Sequence, residues 1–368
     1  VAPGDTITVT VTEKRIVLLH TTATNQTDDQ VLTDVATVIA PDRSIEWPRA
    51  KLPDVKLRRR DRYDGFVAEA RKLAAIRAAI VYPCSAETIL AAIEIRDQGL
   101  FEPLLIGPEA KSRAAAEAAK VSLDGVAIEP VEHSHAAAAA RAVELAASGT
   151  VATLMKGSLH TDELLGAVVG PGSGLRTERR ISHVYAMDVP AYAKPIVVTD
   201  AAINIQPSLD QKRDIWQNAV DLLRLLDVEQ PRVAVLAAVE TVSAKMPSTL
   251  DAAALTVMAA RGQIRGALVD GPLAFDNAIS PDAARTKGIV SSVAGQADIL
   301  LVPDLEAGNM LAKQLIYFAR ADAAGLVLGA RVPIVLTSRS DSLSTQIASA
   351  ALAKLVAARQ TPAGKMPR

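Results

Sequence analysis

The chain has 368 residues, a formal net charge of −1 and only 3% aromatic residues, so neither nucleic acid nor an anionic membrane is expected as a partner. A hydrophobic fraction of 49%, rich in Ala, Val and Leu, suits an α/β protein with Ala-rich helices, and the length allows two domains. Cys84 is the single cysteine, which excludes an internal disulfide and agrees with a reducing cytoplasm; no apolar run approaches the ~18–20 residues of a membrane span, and no secretory signal is evident.

In residues 5–39, Ile7, Val9 and Val11 alternate with Thr6, Thr8, Thr10 and Thr12, and two further β-rich runs at 16–24 and 31–39 are joined by a turn signal at 25–29. Three sequential strands with short turns predict an antiparallel meander, too small at about 40 residues to bury a core alone. The chain opens on Val1 and in mid-strand, so a piece of a longer polypeptide is expected. Residues 41–62 read as a linker, because Pro41, Pro48 and Pro53 interrupt any regular element. Arg58, Arg59, Arg60 and Arg62 there form a solvated basic patch or, alternatively, a phosphate contact.

From Tyr63 onward strands alternate with helices. Strands are expected at 78–82, 103–106, 126–128 and 152–155, with helices at 86–98, 109–120 and 134–148. A second series runs through strands at 181–187, 196–199, 233–236, 267–270 and 297–302, with helices at 209–226, 248–260 and 310–318. A final strand at 333–336 precedes a helix at 344–356. Such βα repeats predict a mainly parallel sheet covered on both faces, with ligands beyond the carboxyl ends of the strands. That rule gathers 83–85, 107–108, 156–161 and 337–342 toward one rim.

The segment Thr337-Ser338-Arg339-Ser340-Asp341-Ser342 carries one fixed cation, hydroxyls and a carboxylate between a strand end and a helix start. Free backbone N–H groups and the helix dipole suit an anion there, and Arg339 adds a planar fork of donors. A plain capping loop, with Ser342 or Ser344 as N-cap, is the other reading. After the strand at 152–155, Gly157 permits close backbone approach, while Lys156 and His160 supply polar side chains beside Thr161. Lys156 is a site residue or a surface lysine, and His160 a site residue or a helix-start residue. Glycines at 170–174 follow a helix rather than a strand, so they are not a dinucleotide fingerprint but a loop delivering Arg176. Asp276 and Asp304 stand at strand ends as substrate contacts or as a helix cap and an Asx turn, and Gly308-Asn309 is expected to open the helix at 310.

Taken together, Asp270-Gly-Pro-Leu-Ala-Phe-Asp276, Lys287-Gly288, Val293-Ala-Gly-Gln-Ala-Asp298, Pro303-Asp304-Leu-Glu-Ala-Gly308-Asn309 and Leu336-Thr-Ser-Arg-Ser-Asp-Ser342 occur in this order. From about Tyr63 to the end, the chain resembles the phosphate acetyltransferase/phosphate butyryltransferase family. Residues 1–40 resemble the closing strands of a truncated hot-dog domain of the MaoC-like enoyl-CoA hydratase type, which points to the bifunctional hydratase/acetyltransferase subgroup. The resemblance implies a two-domain α/β fold like that of the isocitrate and isopropylmalate dehydrogenases, preceded by a short antiparallel β remnant. Its expected lobes are 63–186 with 325–368, and 187–324. It also implies a homodimer and the reaction acyl-CoA + phosphate = acyl phosphate + CoA, with no separate cofactor and no metal.

The same resemblance places Ser338 and Arg339 at the reacting carbonyl and phosphate, and Arg176 on anionic substrate. Lys156, Gly157, His160, Thr161, Asp276 and Asn309 are the further substrate-binding candidates. Acetyltransferases of the family usually carry an acidic residue a few positions after the Ser-Arg pair, where Ser344 and Thr345 stand here. Asp341 or His160 is the remaining candidate for proton transfer to and from the CoA sulfur. Two other functions compete: a metal- and nucleotide-dependent decarboxylating dehydrogenase on the same fold, and a non-catalytic cleft-binding or partner subunit.

If Arg339 holds phosphate and neutralises developing charge, Arg339→Ala should depress kcat by roughly a hundredfold or more, the scale of one lost electrostatic donor. Arg339→Lys should recover little, because lysine keeps the charge without the planar fork. Steady-state kinetics at saturating phosphate check this, and near wild-type turnover in Arg339→Ala would remove the anion-site reading.

Overall fold

Alternation of β-branched and polar residues at the start of the chain produces the expected meander. In the computed structural model, which describes residues 8–11, 16–24, 30–39, 61–337 and 341–360, three strands pair antiparallel in sequence order. They are β1 (Thr8–Val11), β2 (Ile16–Thr24) and β3 (Gln30–Ile39), in register Thr8↔His20 and Ile16↔Ile39. Val17 is buried, while Ile16, Val35, Val38 and Ile39 leave apolar surface open to solvent. His20 is exposed. Residues 1–57 form one compact unit and 58–368 the other.

The second unit begins with α1 (Asp61–Arg71), which starts inside the expected linker. Its first strands and helices follow the predicted alternation: β4 (Ile76–Val81), α2 (Ala86–Asp97), β5 (Phe101–Gly107), α3 (Glu109–Ala119), β6 (Ala127–Pro130), α4 (His135–Ala147), β7 (Thr153–Lys156) and α5 (Thr161–Val169). Then come β8 (Ser182–Asp188), β9 (Ile196–Thr199), α6 (Leu209–Leu225), β10 (Arg232–Leu236), α7 (Pro247–Ala260), β11 (Leu268–Leu273), α8 (Phe275–Ile279) and α9 (Pro281–Thr286). The chain closes with β12 (Ile299–Leu301), α10 (Leu305–Tyr317), β13 (Asp322–Leu328), β14 (Ile334–Val335) and α11 (Leu343–Arg359).

Among the described residues, eleven strands of this unit join one sheet in the order β11-β10-β12-β9-β8-β13-β14-β7-β4-β5-β6. It is a mixed sheet: the outer pairings are parallel, but β14–β13, β13–β8 and β8–β9 are antiparallel. Strand direction therefore reverses across the centre. β4, β5, β7 and β14 run the same way and end at one rim, as the rule of parallel sheets predicts. β9, β12, β10 and β11 run the opposite way, so the loops after them leave by the other edge.

Local chemistry sets the helix starts. Ser85, Ser134, Ser208, Asp304 and Ser342 are N-caps whose side chains accept from backbone N–H groups of the first turn. Asp304 corrects the expected start of α10 at 310: its carboxylate accepts from Ala307 N at 2.9 Å, so the helix begins at Leu305 and Gly308-Asn309 lies within it. β13 is absent from the sequence reading because Ala323, Ala324 and Gly325 mask its β character.

The helix α11 crosses the middle of the sheet with Ile347 to Val356 buried, its alanines allowing close approach to β13. Lys354 is wholly buried in it, donating to the carbonyls of Leu73 at 2.9 Å and Gly99 at 2.7 Å, and burial pushes its pKa down. Among the described residues no helix is long and apolar enough to cross a membrane.

Trp216 of α6 has 0% exposure and packs into the largest apolar cluster, yet its indole N–H finds no partner among the described residues. Trp216→Ala should cost about 3–5 kcal/mol through the cavity it leaves. Trp216→Phe should cost less than about 1.5 kcal/mol, since it removes an unsatisfied donor while keeping most of the volume. Denaturant titrations give both values, and equal costs would show that packing round the ring does not govern this core.

Candidate active site

The rim at the ends of β4, β7 and β14 is drawn together by backbone contacts. Gly157 N donates to Val81 O and Ser158 N to Tyr82 O, both at 2.9 Å, which laces the end of β7 to the end of β4. A Cβ on Gly157 would lie 2.4 Å from Val81 O and 2.7 Å from Tyr82 O, so only glycine permits this approach. β14 pairs with β7 on its other side, Ile334↔Leu154 and Val335↔Met155, which sets Thr337 beside Lys156 although 180 residues separate them.

A cavity of about 460 Å³ opens at this junction, lined by Ser85, Glu87, Thr88, Lys156, Gly157, Ser158, Thr337 and Gln346. Two helix N-termini reach it, that of α2 through Ser85, Glu87 and Thr88 and that of α11 through Gln346. Their dipoles favour an anion. Lys156 is only 9% exposed, which settles against the surface-lysine alternative. Its Nζ donates to Gly157 O at 3.4 Å and Leu159 O at 3.3 Å, long contacts that hold the ammonium beside the cavity. Glu87 is the opposing charge on the wall.

A second cavity of about 530 Å³ shares Ser85 and Ser158 with the first. Tyr82, Cys84, Lys111 and His135 line it, with alanines of α3 on one side. His135 Nδ1 lies 3.0 and 3.1 Å from the two Glu163 oxygens, and its ring meets Tyr82 edge-on at 4.3 Å. The Glu163 carboxyl is held below its ordinary pKa, first by the His160 backbone N–H at 2.7 Å and then by His135. Burial pushes the Cys84 thiol up, and Lys111 opposes that rise. Ser158 Oγ has no hydrogen-bond partner among the described residues, at the wall common to both cavities.

Of the residues singled out in the sequence, Lys156 and Gly157 come together with Thr337 at this site. His160 is exposed and is the N-cap residue of α5, as its helix-start alternative has it, and Thr161 is the first residue of that helix. Arg176 is exposed on a segment that bridges to Ala330. Asp276 sits exposed in the first turn of α8, where its charge adds to that of Glu240 in raising the Lys287 pKa; it does not cap the helix. Asn309 donates to Ala201 O at 3.1 Å from within α10. Neither lines the Lys156 cavity. Asp341 lies immediately before the cap Ser342, and its charge assists burial in pushing Tyr185 up to about 12. Ser338 and Arg339 lie outside the described residues.

Sequence reasoning missed Glu87, Thr88, Gln346, Lys111 and His135 as lining residues, while Ser85 and Ser158 lie in segments it had gathered to the rim. Ser85 and Ser342 were the usable signals, because an N-cap at a strand end aims the next turn of helix at the rim. Among the described residues no three His, Cys, Asp or Glu side chains group as metal ligands.

Comparison with known proteins gives a consistent result. Residues 125–354 match the protein family described as phosphate acetyl/butaryl transferase. A phosphate acetyltransferase of Rhizobium meliloti is 57% identical over 302 residues, covering 82% of this chain and 95% of the relative. A phosphate butyryltransferase of Clostridium beijerinckii is 41% identical over 274 residues, covering 74% and 90%. The crystal structure of a branched-chain phosphotransacylase from Enterococcus faecalis V583 superposes with a TM-score of 0.68 at 30% identity, covering 76% of this chain and 99% of that one.

Because a Cβ at position 157 meets two backbone carbonyls, Gly157→Ala should force β4 and β7 apart. It should cost about 1–3 kcal/mol in stability, as overpacking does, and displace Lys156 from the cavity with a large loss of activity. Chemical denaturation and turnover measured on one preparation test this, and an unchanged variant would mean that the strand ends yield freely.

Proposed function

The chain belongs to the phosphate acetyl/butyryltransferase family and is a phosphate acyltransferase, and from that premise we propose that acyl-CoA and phosphate react at the Lys156–Thr337 cavity. The observation that carries this is the convergence of a buried lysine and two helix N-termini on one space at the strand ends. Phosphate is the anion such a space favours. The dehydrogenase and non-catalytic alternatives fall away with family membership.

In the reaction a phosphate oxygen attacks the thioester carbon, an oxyanion develops on the carbonyl, and the C–S bond breaks to give acyl phosphate and CoA. Lys156 and the N-termini of α2 and α11 hold the phosphate, with Arg339 and Arg176 as its arginine contacts. Ser338 Oγ donates to the oxyanion, a contribution of ~3–4 kcal/mol for one well-placed donor. Asp341 or His160 returns the proton to the CoA sulfur. Gly157 and Thr161 shape the anion site, whereas Asp276 and Asn309, in helices that follow strands ending at the other edge of the sheet, take no part in it. Most of the rate enhancement then comes from positioning.

The second cavity continues from the first through Ser85 and Ser158, and we assign it to the anionic nucleotide end of CoA, which Lys111 and His135 would meet. Acetyl is the favoured acyl group, since the acetyltransferase relative is the more similar. No separate cofactor is invoked, CoA being substrate or product. The finer features of the resemblance belong to the same proposal: two lobes, 63–186 with 325–368 and 187–324, arranged as in the isocitrate and isopropylmalate dehydrogenases, a homodimer in the cytoplasm, and a front segment derived from a MaoC-like hot-dog domain.

Thiol release from acetyl-CoA in the presence of phosphate tests the activity directly, with butyryl-CoA as the comparison. Lys111→Glu should raise KM for acetyl-CoA by about tenfold, the loss of one charged contact of ~1.4 kcal/mol, and leave KM for phosphate unchanged. An equal rise in both would move CoA out of the second cavity.

A further inference from the structure

One group on the wall of the Lys156–Thr337 cavity has no part in the chemistry above. Among the described lining residues Glu87 is the one carboxylate, and every other side chain on the wall carries a donor. Lys156 brings an ammonium, Ser158 and Thr337 bring hydroxyls, and Gln346 brings an amide. Thr337 is buried, and Ser158 Oγ has no hydrogen-bond partner among the described residues. Glu87 stands in the first turn of α2, the turn that reaches the cavity. A site built on charge alone gains nothing from a carboxylate there, because its negative charge repels the anion that the helix N-termini attract.

The helix holds Glu87 in that place. Ser85 Oγ accepts from Thr88 N at 3.3 Å and lies 3.0 Å from Thr88 Oγ1, and Ile89 N donates to Ser85 O at 3.1 Å. Burial of Ile89, Ala91 and Ala92 sets the rotation of α2, so Ser85, Glu87 and Thr88 line the cavity together. A first-turn acid also complements the helix dipole, but that role does not require a place on the wall of an anion site. The chemistry of oxyanions does. An ionised carboxylate accepts hydrogen bonds and has none to donate. At neutral pH phosphate carries at least one proton, so one of its oxygens is a donor, whereas sulfate carries none and all its oxygens are acceptors. Facing Glu87, hydrogen phosphate gains a charge-assisted O–H···O⁻ bond, while sulfate turns lone pairs toward a negative charge.

We propose that Glu87 is a specificity-determining residue, whose carboxylate accepts a hydrogen bond from the protonated oxygen of phosphate and so selects hydrogen phosphate against sulfate. This rests on the reading of the Lys156–Thr337 cavity as the phosphate site, and adds to it the form of the anion that binds. Lys156 supplies the attraction common to both anions, and Glu87 supplies the difference between them. A site that bonds a hydroxyl of its substrate rejects the analogue lacking it. Glu87 is exposed, so water screens its charge, and the discrimination expected is about tenfold rather than the several orders of magnitude of an enclosed site.

The test measures binding of inorganic phosphate, arsenate and sulfate to the full chain by calorimetry, together with inhibition of acetyl-CoA turnover by sulfate. Wild type is compared with Glu87→Gln, Glu87→Asp, Glu94→Gln and Lys156→Met. Wild type should bind phosphate about tenfold more tightly than sulfate, and arsenate, protonated as phosphate is, should stay within about threefold of phosphate. The amide of Glu87→Gln can accept from phosphate and donate to sulfate, so phosphate affinity should hold within about threefold while sulfate binds roughly tenfold more tightly. Sulfate inhibition should strengthen in step. Glu87→Asp, which keeps the acceptor, should retain most of the preference. Glu94→Gln removes the same charge about two turns further along α2 and should leave the phosphate-to-sulfate ratio unchanged. A role for Glu87 confined to the helix dipole would leave that ratio unchanged in Glu87→Gln as well. Such a result, a wild type that binds the two anions alike, or arsenate following sulfate overturns the proposal. Lys156→Met separates this failure from that of the site: it should weaken phosphate and sulfate together by about tenfold or more. If it leaves phosphate binding intact, phosphate binds elsewhere, and the reading of the cavity falls along with the selectivity assigned to it.

Discussion

The site depends on one backbone contact, the approach of Gly157 to the end of β4. Peptide donors at 157 and 158 reach the carbonyls of Val81 and Tyr82 only because position 157 has no Cβ to fend them off. That contact holds the β7 end against the start of α2, so Ser85 and Thr88 face Lys156 and Ser158 across one space. The pairing of β14 with β7 then adds Thr337 and the start of α11. Without the close junction, the same residues would lie on separate loops at the end of the same sheet.

Charge placement follows from that geometry. Lys156 is nearly buried, and its ammonium donates to the carbonyls of Gly157 and Leu159 at the wall of the cavity. A buried cation is costly unless it is paired or hydrogen-bonded, and a bound phosphate would add a charge-assisted contact to those it has. The helix N-termini act in the same sense, and they cost no reorganisation because Ser85 and Ser342 already fix the first turns. In a reaction whose bond changes take place on the substrates themselves, preorganised charge of this kind is the main contribution a protein can make.

The reversal of strand direction across the sheet separates two kinds of loop. Those after β4, β5, β7 and β14 share a rim, while those after β9 to β12 leave from the opposite edge. The antiparallel strands β8 and β13 are where the two sets meet, and there a compact polar cluster of His183, Tyr185 and Ser349 surrounds Gly325.

Much of this was legible in the sequence. Period-two Thr/Val alternation set the meander, Ala-rich runs set the helices, and strand-end serines marked the caps, because these features rest on contacts within a few residues. The spaced motifs around Asp270, Asp304 and Arg339 were enough for the family, since their order and spacing survive in one dimension. Tertiary structure alone decided that three central pairings are antiparallel, that β13 exists despite its small residues, and that α10 begins at the Asp304 cap. It also decided that Lys156 is buried, and that Ser85, Gln346 and Thr337 share its cavity. The physical reason is register: which strand lies beside which, and how closely, depends on packing between residues more than a hundred positions apart, and no local pattern encodes it.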